Sequence, residues 1–179
     1  LSEVIKHALV RDKEYFDWLE INMENIISLE PDVLEHTITR SIEIKAEVVS
    51  EDEKENGIRK ILNFGHTFGH AIEVYGEFKE FSHGQSVAIG MLMAMELSKI
   101  KEGFLQEDLN RSKELISKAS PNLSLVNTFD DKKLMENMSV DKKRSGNKLN
   151  FIVLNKIGQA KITSDIKESE ISLAIQSLV

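Results

Sequence analysis

The segment from Arg59 to Glu73 concentrates side chains that could do chemistry. If this segment forms an α-helix, which turns about 100° per residue, its polar residues fall on one stripe: Arg59, Asn63, His66, His70 and Glu73. A helix that extends further back adds Glu55 to the stripe. Imidazole and carboxylate groups bind divalent metals, and a guanidinium group suits phosphate. Because the rest of this helix is apolar or small, the stripe predicts a polar cavity inside the protein.

The histidine pair in this segment has two interpretations. Residues four apart on a helix, such as His66 and His70, can share a metal, but the spacing is also common in surface pairs and in hydrogen-bonded cores. The zinc-protease motif HExxH is excluded, because Thr67 occupies the position of its glutamate. Gly65 and Gly69 leave no side chain on a neighbouring stripe, so we expect another backbone to approach closely there.

The composition limits the class of protein. The 179 residues suit one domain, and a net charge of −7 argues against a nucleic-acid partner. Because the sequence has no cysteine, any metal must be bound by histidine and carboxylate. No apolar run reaches transmembrane length and no signal peptide is visible, so no membrane partner is expected. The chain begins at Leu1 without Met, which favours a piece of a longer protein.

Hydrophobic periodicity predicts a mainly α fold with six or seven helices and a small β-hairpin near the C-terminus. Apart from the central segment, helices are predicted over residues 2–20, 31–49, 84–101, 108–119, 132–138 and 168–178, and strands over 149–154 and 159–163. In the second of these helices we expect Leu34, Ile38, Ile42 and Val49 to be buried. No GxGxxG or Walker A motif is present, so the chain itself shows no nucleotide site.

Other residues have both a structural and a functional interpretation. Glu3 and Lys6 share a helix face, which by itself favours a surface ion pair. The stem of Lys45 can cover apolar surface while its amine reaches water. His83 begins a helix, where the dipole favours the neutral, metal-binding imidazole, although an ordinary loop histidine also fits. The run over 141–147 is typical of a basic loop, either a solvated lead into the hairpin or an anion contact.

These residues stand in the order found in one enzyme family. The matching blocks are SEVIK at 2–6, the lysine at 45, DEKENGIR at 52–59, LNFGHTFGHAIE at 62–73, HGQSVAIGM at 83–91 and DKK at 141–143. The chain closely resembles the carboxy-terminal, α-helical domain of the 3-dehydroquinate synthases over essentially its whole length. The combination of the LNxGHTxGHAxE block with HGxxVxxGM is specific.

The resemblance implies a defined reaction. Enzymes of this family convert the seven-carbon sugar phosphate DAHP to 3-dehydroquinate and phosphate in the shikimate pathway of aromatic amino acid biosynthesis. Bound NAD oxidises a ring hydroxyl, phosphate leaves by β-elimination, the ketone is reduced again, and an intramolecular aldol reaction closes the carbocycle. The resemblance also implies a cytoplasmic lyase that requires zinc or cobalt.

Matched block by block, the resemblance also assigns roles to single residues. Glu3, His66 and His83 match the metal ligands, and His70 matches a residue that binds substrate and assists proton transfer near the phosphate. The other assignments are Lys6 and Lys45 to the substrate carboxylate and hydroxyls, Arg59, Asn63, Lys142 and Lys143 to substrate and phosphate contacts, and Glu55 to a carboxylate that orients the site. Of the two adjacent lysines, Lys142 is favoured as the phosphate ligand.

The family's amino-terminal, Rossmann-like domain, which carries most of the NAD site, has no counterpart in this sequence. We therefore expect the chain to be inactive alone, and to join its own NAD-binding domain, a sugar phosphate and a second subunit in the complete enzyme. One alternative is another sugar-phosphate cyclase. A second is a metal-dependent alcohol dehydrogenase of the glycerol dehydrogenase type, which would not need Arg59 and Lys142 for a neutral polyol. A third is a non-catalytic helical interaction module with structural histidines.

Overall fold

The computed structural model describes residues 1–121, 123, 129–145 and 149–178, and within these it describes the side chains outside 140–145. This part of the chain holds eight α-helices, a 3₁₀ helix and an antiparallel hairpin. The helices are α1 (Ser2–Arg11), α2 (Lys13–Ile27), α3 (Pro31–Glu51), α4 (His66–Tyr75), α5 (His83–Glu102), α6 (Gln106–Ala119), α7 (Asp131–Ser145) and α8 (Glu168–Gln176). The 3₁₀ helix is Ile58–Asn63, and the strands are β1 (Phe151–Lys156) and β2 (Gln159–Thr163). The predicted mainly α fold with a small hairpin is confirmed, with more helices than expected.

Helix α5 forms the centre of the core, because it is apolar on all sides. Every residue from Ser86 to Ser98 is buried, and α4, β1 and α8 pack around the helix. A capping box begins it: the Ser82 hydroxyl accepts from the Gln85 backbone, and the Gln85 side chain accepts from the Ser82 backbone at 2.9 Å. Gly103, with φ of +72°, ends it.

The single helix predicted over residues 2–20 is wrong, because the chain breaks at Asp12. The backbone of Asp12 is extended, and its carboxylate caps α2 by accepting from the Tyr15 N–H at 2.9 Å. The hairpin turn packs against this break, where the Gly158 N–H donates to the Leu9 carbonyl at 2.8 Å. The break thus separates α1 from α2 at the point where the hairpin reaches them.

The central segment is also not one continuous helix. The 3₁₀ helix ends at Asn63, and Gly65, with φ of +79°, turns the chain into α4. The reason lies in α5, where a Cβ on Gly90 would collide with the Gly65 carbonyl and lie 2.7 Å from the Gly69 nitrogen. The backbones of α4 and α5 are therefore in direct contact, which confirms the close approach predicted at Gly65 and Gly69.

Helix α3 buries a different face from the one predicted. Its buried residues are Thr37, Ser41, Ile44 and Val48. Ile38 and Ile42 are 53% and 61% exposed, so their predicted burial is wrong. The buried face includes two hydroxyls that find partners, since Thr37 donates to the Val33 carbonyl and Ser41 lies beside His7. Hydrogen-bonded polar groups can occupy a core position that a hydrophobic pattern assigns elsewhere.

Helix α7 continues to Ser145, so residues 141–145 are helical and not part of the predicted loop. The side chains of Lys142 and Lys143 lie outside the described residues. Asn137, earlier on α7, donates from its amide to the Ala71 carbonyl on α4 at 3.2 Å. Among the described helices, none combines the length and the apolar character that crossing a bilayer requires.

Candidate metal and substrate site

Three side chains from distant segments meet where their helices begin. Glu3, His66 and His83 each offer a ligand atom, and these atoms lie within 4.8 Å of one another. Nε2 of His66 is 3.7 Å from Oε1 of Glu3, and the rings of His66 and His83 have centroids 5.7 Å apart. The structure therefore brings together the three residues that the resemblance assigns to the metal.

The positions of these residues follow from the starts of α1, α4 and α5. Gly65 places His66 at the first position of α4, and the capping box places His83 at the first position of α5. The backbone contact between the two helices fixes one histidine relative to the other. Helix α1 is tied to α5 by the Ser2 hydroxyl, which donates to the Gly84 carbonyl at 2.8 Å.

The second nitrogen of each imidazole has a partner of its own. Nδ1 of His83 lies 2.8 Å from a carboxylate oxygen of Glu73, and Nδ1 of His66 lies 3.3 Å from the Phe64 carbonyl. Metal-bound histidines commonly have such outer partners, which set the tautomer and orient the ring. Two oriented imidazoles and one carboxylate form a donor set that fits a divalent ion of the zinc type.

The charges around the cluster favour its metal-binding protonation state. Burial lowers the pKa of His66, and the positive charge of Lys6 acts in the same direction. Partial burial works to raise the pKa of Glu3, but the hydrogen bond and charge of Lys6 outweigh it, so that this pKa is lowered. A neutral imidazole and an ionised carboxylate are the forms that bind a metal ion.

Two lysines lie beside the cluster. Lys6 is only 3% exposed, and its amine donates to Oε2 of Glu3 at 2.6 Å. Burial lowers the pKa of Lys6, and the positive charge of Lys45, which is exposed on α3, adds to this effect. His70 is exposed one turn after His66, with its ring centroid 5.7 Å from that of His66. The structure thus places the Lys6 amine and a second imidazole next to the candidate metal ligands, with Lys45 near enough for its charge to act on Lys6.

Three further predicted site residues, Glu55, Arg59 and Asn63, lie on the segment that leads into α4. Asn63 donates to a carboxylate oxygen of Glu55 at 2.9 Å. Glu55 has a left-handed backbone with φ of +55°, which is uncommon for a residue with a side chain. Arg59 donates from Nη1 to the Glu53 carbonyl at 2.8 Å. These contacts hold the segment as a compact turn before His66.

The cluster lies on an open face of the described chain. Glu3, His70 and His83 are all exposed. The prediction of a polar cavity inside the protein is therefore wrong for this chain, because nothing among the described residues covers these side chains.

Sequence reasoning placed Glu73 on the polar stripe without a specific role, and it missed Asp52 and His7, which also shape this site. Glu73 closes the histidine block and contacts His83, so its place in that block was a usable signal. The Asp52 carboxylate accepts from the backbone N–H groups of Gly57 and Arg59 at 2.7 and 3.1 Å, and Gly57 after a charged run is typical of such a turn. His7, which is buried beside Lys6, carries no recognisable pattern.

Comparison with known families settles which family has this arrangement. The model of the family described as 3-dehydroquinate synthase C-terminal matches residues 1–144. The chain belongs to this family. The match includes every predicted site residue of this 3-dehydroquinate synthase domain, from Glu3 to Lys143.

Individual synthases match over nearly the whole chain. The 3-dehydroquinate synthase of Pseudoalteromonas atlantica is 40% identical over 169 residues, and that of Haemophilus ducreyi is 39% identical over 176 residues. These alignments cover 94% and 98% of this chain but 48% and 49% of the relatives. The chain therefore spans about half the length of the synthases it matches.

Solved structures of two other synthases share the fold. ValA, a 2-epi-5-epi-valiolone synthase from Streptomyces hygroscopicus subsp. jinggangensis solved with NAD⁺ and Zn²⁺, aligns with a TM-score of 0.87 at 22% identity, covering 99% of this chain and 49% of ValA. A 2-deoxy-scyllo-inosose synthase solved with carbaglucose-6-phosphate, NAD⁺ and Co²⁺ aligns with a TM-score of 0.80 at 24% identity, covering 98% and 49% of the two chains. The expected dehydroquinate synthase-like α-domain is confirmed.

Proposed function

We propose that this chain is the metal- and substrate-binding half of a 3-dehydroquinate synthase, a lyase that converts DAHP to 3-dehydroquinate and phosphate. The observation that carries the proposal is the convergence of Glu3, His66 and His83 within 4.8 Å in a chain about 40% identical to named synthases. We assign the complete enzyme to the shikimate pathway and to the cytoplasm.

Glu3, His66 and His83 would hold the metal, and Zn²⁺ and Co²⁺ are the ions found in the two related cyclases. A bound ion of this kind supplies Lewis-acid polarisation of a hydroxyl or carbonyl oxygen. Glu73 and the Phe64 carbonyl orient the two imidazoles. With three protein ligands, further positions stay free for substrate oxygens.

The other predicted residues would bind and orient the sugar phosphate. The amines of Lys6 and Lys45, held near each other, suit its carboxylate and hydroxyls. Arg59 and the Asp141-Lys142-Lys143 segment supply cations for the phosphate. The imidazole of His70, which is exposed one turn after His66, would bind substrate and transfer a proton near the departing phosphate. Asn63, whose amide is held by Glu55, adds a neutral contact.

The oxidation step requires NAD, which we place mainly in a second half of the protein. The relatives are about twice as long as this chain, and both related cyclases were solved with NAD⁺. The open face around His83 and Lys45 is where that half would close the site. We further propose that the complete enzyme is a homodimer and that this chain alone does not turn over.

Another sugar-phosphate cyclase is the competing function, because two such enzymes share the fold. Identity of 39–40% to synthases, against 22–24% to these cyclases, favours DAHP as the substrate. In the test, a protein that contains this chain and has the full length of the matched synthases is given DAHP, sedoheptulose 7-phosphate or glucose 6-phosphate. Phosphate release and the mass of the product are measured. We expect 3-dehydroquinate from DAHP alone. Turnover of either other sugar phosphate in its place would overturn the assignment.

A further inference from the structure

A buried polar pair joins α1 to α3 behind the proposed site. Nδ1 of His7 lies 2.8 Å from Oγ of Ser41. The two residues are 5% and 7% exposed, so water has little access to either. A buried hydrogen bond between two side chains is directional, whereas the apolar contacts around it are not. The pair can therefore fix the rotation of one helix against the other.

Each member of the pair lies one helical turn from a proposed site residue. His7 follows Glu3 by four residues on α1 and is adjacent to Lys6, and Ser41 precedes Lys45 by four residues on α3. Side chains four apart on a helix lie on the same face. A shift of α1 at His7 would consequently move the Glu3 carboxylate and the Lys6 amine relative to Lys45.

The start of α1 is tied to α5 by Ser2, whereas on the side of α3 the other polar contact of α1 is at its far end, where Arg11 pairs with Glu51. The first position of α1 follows Leu1, which provides no side-chain cap. Burial is the main cause of the lowered pKa of Lys6, and repulsion by the charge of Lys45 adds to it. On its other side α1 is held by apolar residues such as Ile5 and Leu9, which tolerate small rotations more readily than a hydrogen bond does.

We propose that His7 and Ser41 are positioning residues, whose hydrogen bond sets the rotation of α1 on α3 and so holds Glu3 in place to bind the metal. This inference rests on the proposed function, because it assumes that Glu3 is a metal ligand. It assigns no chemical step to His7 or Ser41, which act only through the placement of Glu3 and Lys6.

The surroundings of His7 keep its imidazole neutral, which suits this role. Burial lowers the pKa of His7 to about 4, with the charges of Lys6 and Lys45 acting in the same direction and that of Glu3 in the opposite direction. His7 is therefore neutral near pH 7. It can hold Ser41 without placing a third cation beside the two lysines.

The experiment measures Co²⁺ binding to the chain by visible absorption, with thermal unfolding recorded for every variant. Ser41→Ala and His7→Phe remove the hydrogen bond. His7→Asn keeps it, because its amide reaches the position of Nδ1. Thr37→Val is the matched control, since Thr37 is also a buried hydroxyl residue of α3 but donates within its own helix, to the Val33 carbonyl at 2.7 Å.

We expect Ser41→Ala and His7→Phe to weaken Co²⁺ binding about tenfold, in the range seen for outer-shell partners of metal ligands. His7→Asn and Thr37→Val should bind like the wild type, even where their unfolding temperatures fall. In a Glu3→Gln background, Ser41→Ala should have no further effect, because it acts through Glu3.

Two results would overturn this inference alone. One is Co²⁺ binding by Ser41→Ala equal to that of Thr37→Val. The other is a loss of Co²⁺ affinity on Ser41→Ala that is the same in the wild type and in the Glu3→Gln background. A wild-type chain that takes up no Co²⁺ would instead overturn the proposed metal site, and this inference with it. A purely structural role predicts lowered unfolding temperatures without a change in Co²⁺ affinity, so the two readouts separate the cases.

Discussion

His66 gives the most direct test of the site at the scale of a single residue. In a synthase-length protein we expect His66→Ala to lower turnover of DAHP at least about 100-fold, because removal of a ligand costs no less than loss of an outer-shell partner. Turnover and metal content are measured together. His36→Ala is the control, since His36 packs against Trp18 in a tilted arrangement with ring centroids 4.4 Å apart and has no proposed role. Equal activity of the two variants would favour the non-catalytic interaction module.

His7 should give the folded chain a distinctive sensitivity to acid. Its pKa is lowered from 6.5 to about 4 by burial, so between these values the unfolded chain binds a proton that the folded chain excludes. The neutral His7 therefore makes its full contribution to the free energy of unfolding above pH 6.5, and this contribution is lost as the pH falls toward 4. On lowering the pH from 7 to 5, the wild type should lose about 2 kcal/mol more stability than His7→Phe. Urea unfolding at the two pH values measures the difference, and equal losses would contradict it.

Two buried serines of α5 should respond oppositely to the same substitution. The Ser86 hydroxyl has no hydrogen-bond partner among the described residues, whereas the Ser98 hydroxyl accepts from the Leu154 N–H at 2.8 Å and donates to the Ala94 carbonyl. We expect Ser86→Ala to leave the free energy of unfolding unchanged or raise it by about 1 kcal/mol, and Ser98→Ala to lower it by about 1–3 kcal/mol. Chemical denaturation of both variants provides the comparison. A marked loss in Ser86→Ala would reveal a partner for its hydroxyl.

At the scale of elements, the contact between α4 and α5 decides where the histidines lie. A Cβ on Gly90 would meet backbone atoms of Gly65 and Gly69, which cannot move without separating the helices. We expect Gly90→Ala to destabilise the fold by about 3 kcal/mol or more, and to weaken Co²⁺ binding by displacing His66 from His83. Gly84→Ala is the control on the same helix, because its Cβ would lie 3.6 Å from the Ser2 hydroxyl. It should change stability by no more than about 1 kcal/mol, in the stabilising direction.

Sequence reasoning succeeded where the cause of a structure is local. Ser82 as a possible N-cap and the apolar run after it predicted α5, and the short β-prone runs around Gly158 predicted the hairpin. It failed where the cause lies on another element. The break before His66 depends on Gly90 of α5, and the break at Asp12 is packed by the hairpin turn.

The same distinction applies to the site. Motif order identified Glu3, His66 and His83, although nothing local in the sequence shows that they converge. The burial error on α3 arose because Ile38 and Ile42 have the side chains of core residues, while Ser41 is a polar residue that is buried with His7 as its hydrogen-bond partner. Long-range partners of this kind leave no periodic signal in a single sequence.

At the scale of the whole molecule, the chain holds the proposed metal ligands but leaves them open. Glu3, His83 and Lys45 are exposed, and the exposed isoleucines of α3 extend this uncovered surface beyond Lys45. The relatives are about twice as long as this chain, and the other half of such a protein would cover this surface. Exclusion of water from such a site strengthens the electrostatic interactions within it, so an uncovered site is poorly suited to catalysis.

We therefore expect binding and turnover to separate in this chain. Alone it should take up one Co²⁺ with spectral bands that Glu3→Gln alters, yet release no phosphate from DAHP, because hydride transfer needs a bound NAD that the chain has no motif to hold. Fusion to the amino-terminal half of the Haemophilus ducreyi synthase should restore phosphate release, and Lys45→Met in that fusion should lower it at least about tenfold, since a charged contact to substrate contributes about 1.5–3 kcal/mol. Ile21→Met, a change at an 81% exposed position of α2, is the control and should leave the rate unaltered. NAD-dependent turnover by the isolated chain would show instead that this half contains a complete active site.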